Sequence, residues 1–276
     1  MKTIAFQGEL GAYSHEACMS ARPNCKALPC KSFENVIDSV NNNVADLAML
    51  PVENTTYGRV ADIHRLLPGS GLHIVDEVFM RVRINLLGLP GKKLEDIKAA
   101  EAHPVLLPQA ASFLEKYNIR GIRAVDSAGA AAGLQGSKAE GLGVLASKLA
   151  AEIYGLEVLA EDIEDSDYNT TRFLLMSSSL DHTRRGYTKM MTTFIFQVRN
   201  IPAALYKAMG GFATNGVNMT KLESYMVGGT FSATQFYADI EGHPDDTNVK
   251  LAMDELSYFT QSITILGVYP ASSERV

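Results

Sequence analysis

Thr3-Ile4-Ala5-Phe6-Gln7-Gly8-Glu9-Leu10-Gly11-Ala12-Tyr13-Ser14 decides the class of fold. Thr3 to Phe6 reads as a buried strand, Gly8 to Gly11 as a tight turn, and Ser14 as the N-cap of a helix over His15–Ser20. The same order then recurs. Leu28 lies in a short strand, Ser32 caps a helix through Val40, and Leu47-Ala48-Met49-Leu50 is a third apolar strand. Strands separated by helices pair mainly in parallel, so the chain is α/β.

The pattern changes beyond that core. Leu72 to Leu89 is one long extended stretch closed by Pro90-Gly91, able to carry the chain from one lobe to another. A second α/β set follows. It has strands at Ile97–Ala102, Ile122–Val125, Gly143–Leu145 and Leu156–Leu159, and helices over Gln109–Tyr117, from Ser127, and over Ser147–Ile153. Acidic residues from Glu161 to Asp167 lead into Asn169-Thr170-Thr171-Arg172-Phe173 and a strand through Met176. Ser177 to Thr188 is polar and reads as a linker. The remainder orders as strand (Met191–Val198), helix (Ala203–Asn215), strand (Met219–Tyr225), strand (Thr230–Ile240), helix (Val249–Tyr258) and strand (Ile263–Val268). That βαββαβ order is a ferredoxin-like unit.

Composition narrows the function classes. The 276 residues are comfortable for two domains, and 46% hydrophobic with 20% charged residues is ordinary for a globular protein. The net charge of -6 argues against nucleic acid or an anionic membrane as partner, since both demand basic surface. Cys18, Cys25 and Cys30 form neither a CxxC pair nor a framework, which fits reduced thiols in a cytoplasm. The N-terminus turns polar too soon for a signal peptide, and no apolar run is long enough to span a membrane. The sequons at Asn54, Asn169 and Asn218 therefore need another explanation.

Four polar segments could carry chemistry. The Gly8–Ser14 loop precedes a helix start, where free N–H groups can meet an anion; it is equally an ordinary turn, and it lacks the GxGxxG pattern. Pro51-Val52-Glu53-Asn54-Thr55-Thr56-Tyr57-Gly58 follows the third strand, at the carboxyl end where open α/β sheets bind ligands. Asn169 to Phe173 combines amide, hydroxyl and guanidinium, the last suited to a carboxylate or to a structural salt bridge. His103-Pro104, with Gln109 beyond, is either a site segment or a capped loop. The six histidines are scattered without a metal pattern, and no P-loop or nucleophile elbow is present.

In this order the segments resemble the prephenate dehydratase family, whose pattern is a Gly-containing loop, Glu-Asn-(Ser/Thr), His-Pro with a following Gln, and Asn-x-Thr-Arg-Phe. Ala146-Ser147 through Tyr154-Gly155-Leu156 to Ile163 is also similar to the family. The resemblance implies a two-lobed catalytic domain of the type 2 periplasmic-binding-protein kind over residues 1–180. Lobe one would take about 1–75 plus 162–180, lobe two about 76–161, and a ferredoxin-like ACT regulatory domain 189–276. It implies decarboxylating dehydration of prephenate to phenylpyruvate without metal or cofactor, with Thr171 as the catalytic hydroxyl. Asn54, Thr55, Gln109, Arg172 and Ser14 would bind substrate, Arg172 through a carboxylate.

Ala102 precedes His103 where the family often has Ser, and Val105 stands where Gln is common. In the tail, Ala204, Leu205, Asn218, Glu223 and Ser224 would meet L-phenylalanine as effector. The family's Gly-Ala-Leu reads Ala203-Ala204-Leu205, and its Glu-Ser-Arg-Pro reads Glu223-Ser224-Tyr225-Met226. ACT domains pair side by side, which implies a homodimer or homotetramer. Arogenate dehydratase is the alternative within the enzyme class, and a non-catalytic amino-acid sensor the alternative outside it.

Overall fold

The computed structural model describes residues 1–137, 139–183, 189–226 and 233–275. The start of the expected strand at Thr230–Ile240 and the end of the Ser177–Thr188 linker lie outside them. In chain order the strands are β1 (Thr3–Gln7), β2 (Lys26–Cys30), β3 (Leu47–Asn54), β4 (Gly58–Arg59), β5 (His73–Arg81), β6 (Asn85–Gly88), β7 (Ala99–Ala102) and β8 (Arg120–Arg123). They continue as β9 (Leu142–Ala146), β10 (Glu157–Ala160), β11 (Thr170–Ser177), β12 (Met190–Val198), β13 (Met219–Met226), β14 (Ala233–Glu241) and β15 (Thr260–Pro270). The helices are α1 (Tyr13–Ala21), α2 (Phe33–Asn41), α3 (Ala61–Leu66), α4 (Ala111–Lys116), α5 (Ser127–Leu134), α6 (Lys148–Tyr154), α7 (Ala204–Thr214) and α8 (Thr247–Phe259).

Two compact units result, residues 1–64 with 78–174, and residues 65–77 with 175–276. The first holds two lobes. In one, β1 pairs in parallel with β2 and β3, and β11 lies beside β3. Ile4, Ala5 and Phe6 of β1 are fully buried, as a central parallel strand requires. In the other lobe five strands run β10-β6-β9-β7-β8, over cores that include Ile84, Leu86, Leu145 and Leu134. The chain crosses between the lobes twice, and the crossings run side by side. Val82 N–H donates to Asn169 O (2.8 Å) and Ile163 N–H to Ile84 O (2.9 Å). Arg81 pairs with Asp167 at 3.2 Å and Arg83 with Asp162 along the same seam.

The second unit is ferredoxin-like, β12-α7-β13-β14-α8-β15, with antiparallel order β13-β14-β12-β15. Period-2 alternation sorts its sheet. Phe194, Phe196, Phe236, Ala238 and Ile240 face α7 and α8, joined by Phe212, Val249 and Leu256. The other face carries a polar cluster, in which Thr193 donates to Asp239 (2.6 Å) and lies 2.7 Å from the Tyr269 hydroxyl. The first part of β5 belongs to this unit because Ile74 pairs with Gly267 of β15. A Cβ on Gly267 would collide with the Ile74 carbonyl, so only glycine admits that strand.

Several local readings shift. Helix α1 starts at Tyr13 with Ala12 as N-cap, so Ser14 lies inside the first turn and caps nothing. Ser32 does cap α2, accepting from Asn35 N, and Ser147 caps α6, accepting from Ala150 N. The stretch Leu72–Leu89 is two strands, β5 and β6, interrupted where the chain crosses lobes. Gln109 lies in a 3-10 turn, Leu107–Ala110, ahead of α4, because Pro108 suits a first turn. The strand expected at Ile122–Val125 sits at Arg120–Arg123.

Ala203 before α7 is left-handed, φ 60° and ψ 14°. That conformation costs an L-residue about 1–2 kcal/mol and glycine far less. Glycine also loses roughly 0.5–1 kcal/mol more backbone freedom on folding. Ala203→Gly is therefore expected to stabilise the protein by about 0.5–1 kcal/mol, read as a rise in the urea midpoint at unchanged m-value.

Candidate active site

Where β3 ends and β11 begins, both strands deliver polar side chains to one place. The Asn54 carbonyl Oδ1 accepts from the backbone N–H of Thr56 (2.9 Å) and of Tyr57 (3.0 Å). Its Nδ2 then donates to Asn169 Oδ1 (2.9 Å) and to Thr171 Oγ1 (2.9 Å). Asn169 and Thr171 are two apart and share a face of the extended chain, which is why one amide reaches both. Asn169 Nδ2 donates to Gln109 Oε1 at 2.6 Å. Asn169 and Gln109 are buried, and both line a cleft of about 320 Å³ with Thr56, Tyr57, Pro108, Glu164, Asp165 and Ser166.

The expected residues thus separate. Asn54, Thr171 and Gln109 join one network through Asn169, and Gln109 lines the cleft. The Thr171 oxygen accepts from Asn54, so its own hydrogen remains for another acceptor, none of which is present among the described residues. Thr55 instead sews the site together. Its hydroxyl donates to Tyr168 O and accepts from Thr170 N (2.9 Å), while its N–H donates to Thr170 O (2.9 Å).

Arg172 is displaced from its expected role. It neighbours Thr171 on the strand and so points to the opposite face, where it is buried, paired with Glu53 at 2.8 Å and 6.0 Å from the Phe79 ring. The structural salt bridge that the sequence left open is what the geometry shows. Ser14 makes none of the bonds that join the network. His103 closes its own turn, its Nδ1 accepting from Val105 N (3.2 Å), and burial lowers its pKa.

Asn169 was legible as part of a motif but absent from the expected site list, and so were Glu164 and Asp165. The i, i+2 spacing to Thr171 was the available signal for Asn169. The two carboxylates sit on a crossing segment without regular period, so no signal pointed to them. Glu164 accepts from Ile84 N (2.9 Å), and Asp165 from Ser112 N (3.2 Å). Among the described residues no three His, Cys, Asp or Glu side chains gather to hold a metal. No helix among the described residues is long and apolar enough to cross a membrane.

The first Gly loop packs against the other lobe. At Gly11, φ +89°, a Cβ would lie 2.7 Å from the Ala150 Cα, so the loop's close approach is to α6 of the other lobe. Ser147 Oγ donates to Gly11 O (2.5 Å) and Tyr154 OH to Leu10 O (2.8 Å). Glu16 of α1 reaches the same point. Burial raises its pKa from 4.5 to about 7 against opposing bonds from Leu149 N and Ser147, with Glu152 adding to the rise.

The folded state therefore holds a proton more tightly than the unfolded one. Stability from this group is full below pH 4.5 and is lost as pH rises towards 7. Glu16→Gln is expected to flatten that decline and to exceed the wild type at pH 8 by about 1–3 kcal/mol. Urea melts of both proteins from pH 4 to 8 check it, and parallel curves would count against the assignment.

Of the five expected effector residues, Ala204 and Leu205 open α7, Asn218 precedes β13, and Glu223 and Ser224 lie on β13. Ala204 is buried and Leu205 packs on the helix-side core. Asn218 bonds to Glu241, whose pKa is lowered chiefly by the Lys189 hydrogen bond. On β13 Glu223 pairs opposite Tyr237 and Ser224 opposite Phe236, so their side chains leave on opposite faces.

The class is a dehydratase-type lyase: residues 4–180 match the family model described as Prephenate dehydratase. A relative from Komagataeibacter europaeus, a bifunctional N-acyl-homoserine lactone acylase/prephenate dehydratase, is 49% identical over 99% of this chain and 98% of its own. Arogenate dehydratase/prephenate dehydratase 1, chloroplastic, of Arabidopsis thaliana is 38% identical over 97% of this chain and 71% of its own. The prephenate dehydratase of Arthrobacter aurescens, solved in complex with L-Phe, superposes with TM-score 0.89 at 28% identity, covering 99% of this chain and 91% of that one. The chain belongs to the prephenate dehydratase family.

Proposed function

We propose that the protein converts prephenate to phenylpyruvate, carbon dioxide and water. The observation that carries the reading is the Asn54–Thr171 hydrogen bond, which uses the threonine oxygen as acceptor and leaves its hydrogen to donate. As the ring carboxylate departs as carbon dioxide, its bonding pair enters the ring. The electrons shift through the diene and expel the ring hydroxyl as hydroxide, which takes up a proton to leave as water. Aromatisation drives the step. The protein's task is to hold the acid and to steady the departing oxygen, which is Thr171's role. Gln109 at the cleft wall supplies an amide contact, Asn169 holds it there, Asn54 and Thr55 fix the loop, and Arg172 acts from the far face by holding Glu53. The catalytic domain is taken as residues 1–180 and an ACT domain as 189–276.

A second substrate, arogenate, is favoured by one feature. The described residues that line the cleft include Glu164, already paired with Arg81 at 3.5 Å, and Asp165, with no cation among them, which leaves Asp165 to suit an ammonium group. The Arabidopsis relative's double name is in keeping with either acid.

L-phenylalanine is the proposed effector, supported by the complex named for the Arthrobacter protein, with side-by-side pairing of ACT domains in a cytoplasmic homodimer or homotetramer. Turnover on prephenate and on arogenate, with and without L-phenylalanine, tests the reaction and the effector. The expected result is phenylpyruvate from prephenate, inhibited by phenylalanine. Turnover of arogenate alone would reassign the substrate. Phenylalanine binding with no turnover of either acid would make the chain a sensor.

A further inference from the structure

The polarity of the amide network is determined from one end. A backbone N–H can only donate, so Thr56 and Tyr57 fix Oδ1 of Asn54 as the acceptor. Nδ2 of Asn54 must then be the donor, and Asn169 must present Oδ1 to it. That leaves Asn169 Nδ2 to donate, so Gln109 must turn its oxygen inward at 2.6 Å. Its Nε2 then faces outward, with no acceptor among the described residues, from a residue that lines the cleft. Rotating any one amide by 180° would set donor against donor or acceptor against acceptor, and in a buried site each such clash leaves costly unsatisfied groups. The chain of bonds therefore delivers one chemical instruction to the cleft wall: present a donor, not an acceptor.

We infer that Asn169 is a positioning residue that acts through Gln109, locking its amide so that the N–H₂ end meets a carboxylate of the substrate. This rests on the dehydratase reading and deepens it. Asn169 is 1% exposed, so little of it is open to the cleft, and both ends of its amide are bonded within the network. Its effect on catalysis should come from the direction of hydrogen bonds rather than from contact with the reacting carbons. An aspartate would accept on both oxygens and turn the Gln109 N–H₂ inward, placing an oxygen against the substrate carboxylate. A protonated aspartate can donate again and restore the original polarity.

The test measures kcat/KM on whichever of prephenate and arogenate the wild type turns over, for wild type, Asn169→Asp, Asn169→Ala, Gln109→Ala, Asn169→Asp/Gln109→Ala and Asn169→Ala/Gln109→Ala, from pH 5 to 8. Asn169→Asp is expected to lose about a hundredfold at pH 8, mostly in KM. It should recover most of that relative to wild type at pH 5. Asn169→Ala is expected to lose about tenfold without such a pH dependence, and it carries the test if a buried aspartate prevents folding. Because Asn169 acts through Gln109, each double variant should be no worse than Gln109→Ala alone. Losses that multiply in the double variants would overturn the proposal, as would an Asn169→Asp profile parallel to the wild type. A wild type that turns over neither acid would instead sink the dehydratase reading, a result that the variants cannot mimic.

Discussion

Thr171→Ala is expected to lower kcat on prephenate at least a hundredfold while KM stays within a few-fold of wild type. The reason lies in what its hydroxyl does and when. The oxygen already accepts from Asn54, a bond that holds the side chain in place before substrate arrives. Its hydrogen then finds its strongest acceptor only as the ring hydroxyl leaves with negative charge. An interaction made chiefly in the transition state raises kcat, whereas one made equally in the ground state alters KM. Preorganised donors of this kind are worth about 2.7–4 kcal/mol, or two to three orders of magnitude. Thr171→Ser should retain a good part of the rate, because the hydroxyl remains and only the methyl that restricts its rotamer is lost. Thr171→Val keeps the shape and should be as poor as alanine. A folded Thr171→Val enzyme with near-normal kcat would remove Thr171 from this role.

Arg275→Ala is expected to cost about 3 kcal/mol of stability or more, measured by urea unfolding at pH 7. Its guanidinium meets Glu77 through Nε (2.5 Å) and Nη2 (2.8 Å) and lies 3.5 Å from Asp239. Both carboxylate side chains are fully buried. Ser272 N also donates to Glu77 (3.0 Å), so the last turns of the chain are anchored on the same carboxylate. An intact buried pair adds little over a good apolar core, because desolvation offsets the attraction. Removing one partner is different, since it strands the other charges where water cannot reach them. Arg275→Ala/Glu77→Gln should therefore be more stable than Arg275→Ala, the sign that distinguishes a stranded charge from lost packing. A loss below 1 kcal/mol in Arg275→Ala would show that Glu77 and Asp239 are satisfied without it.

These two effects differ in how far the sequence announced them. Thr171 stood out because it sits at the centre of a motif that opens a strand and stands in order with three others. Arg275 and Glu77 had no local pattern at all. They are 198 residues apart, and only the pairing of β5 with β15 brings them together.

The order of elements was legible because hydrophobic period and turn chemistry are local. The apolar runs Ile4–Phe6 and Leu47–Leu50 could only be buried strands, and the βαββαβ order of the tail followed from the same alternation. Side-chain direction along a strand is local too, and it separates Thr171 from Arg172 before any packing is known. What the sequence could not decide was which groups face which. The close approach at Gly11 could have served a ligand or another part of the chain; the packing of α6 made it the chain. The Arg172 guanidinium suited a carboxylate from substrate or from Glu53, and strand pairing between β3 and β11 chose Glu53. The direction of the Asn54, Asn169 and Gln109 amides depends on backbone donors at Thr56 and Tyr57, although Asn54 and Asn169 stand 115 positions apart in the chain. Residue types and local periods are written along the chain. Hydrogen-bond partners are set by distance in space, and only the tertiary fold supplies that.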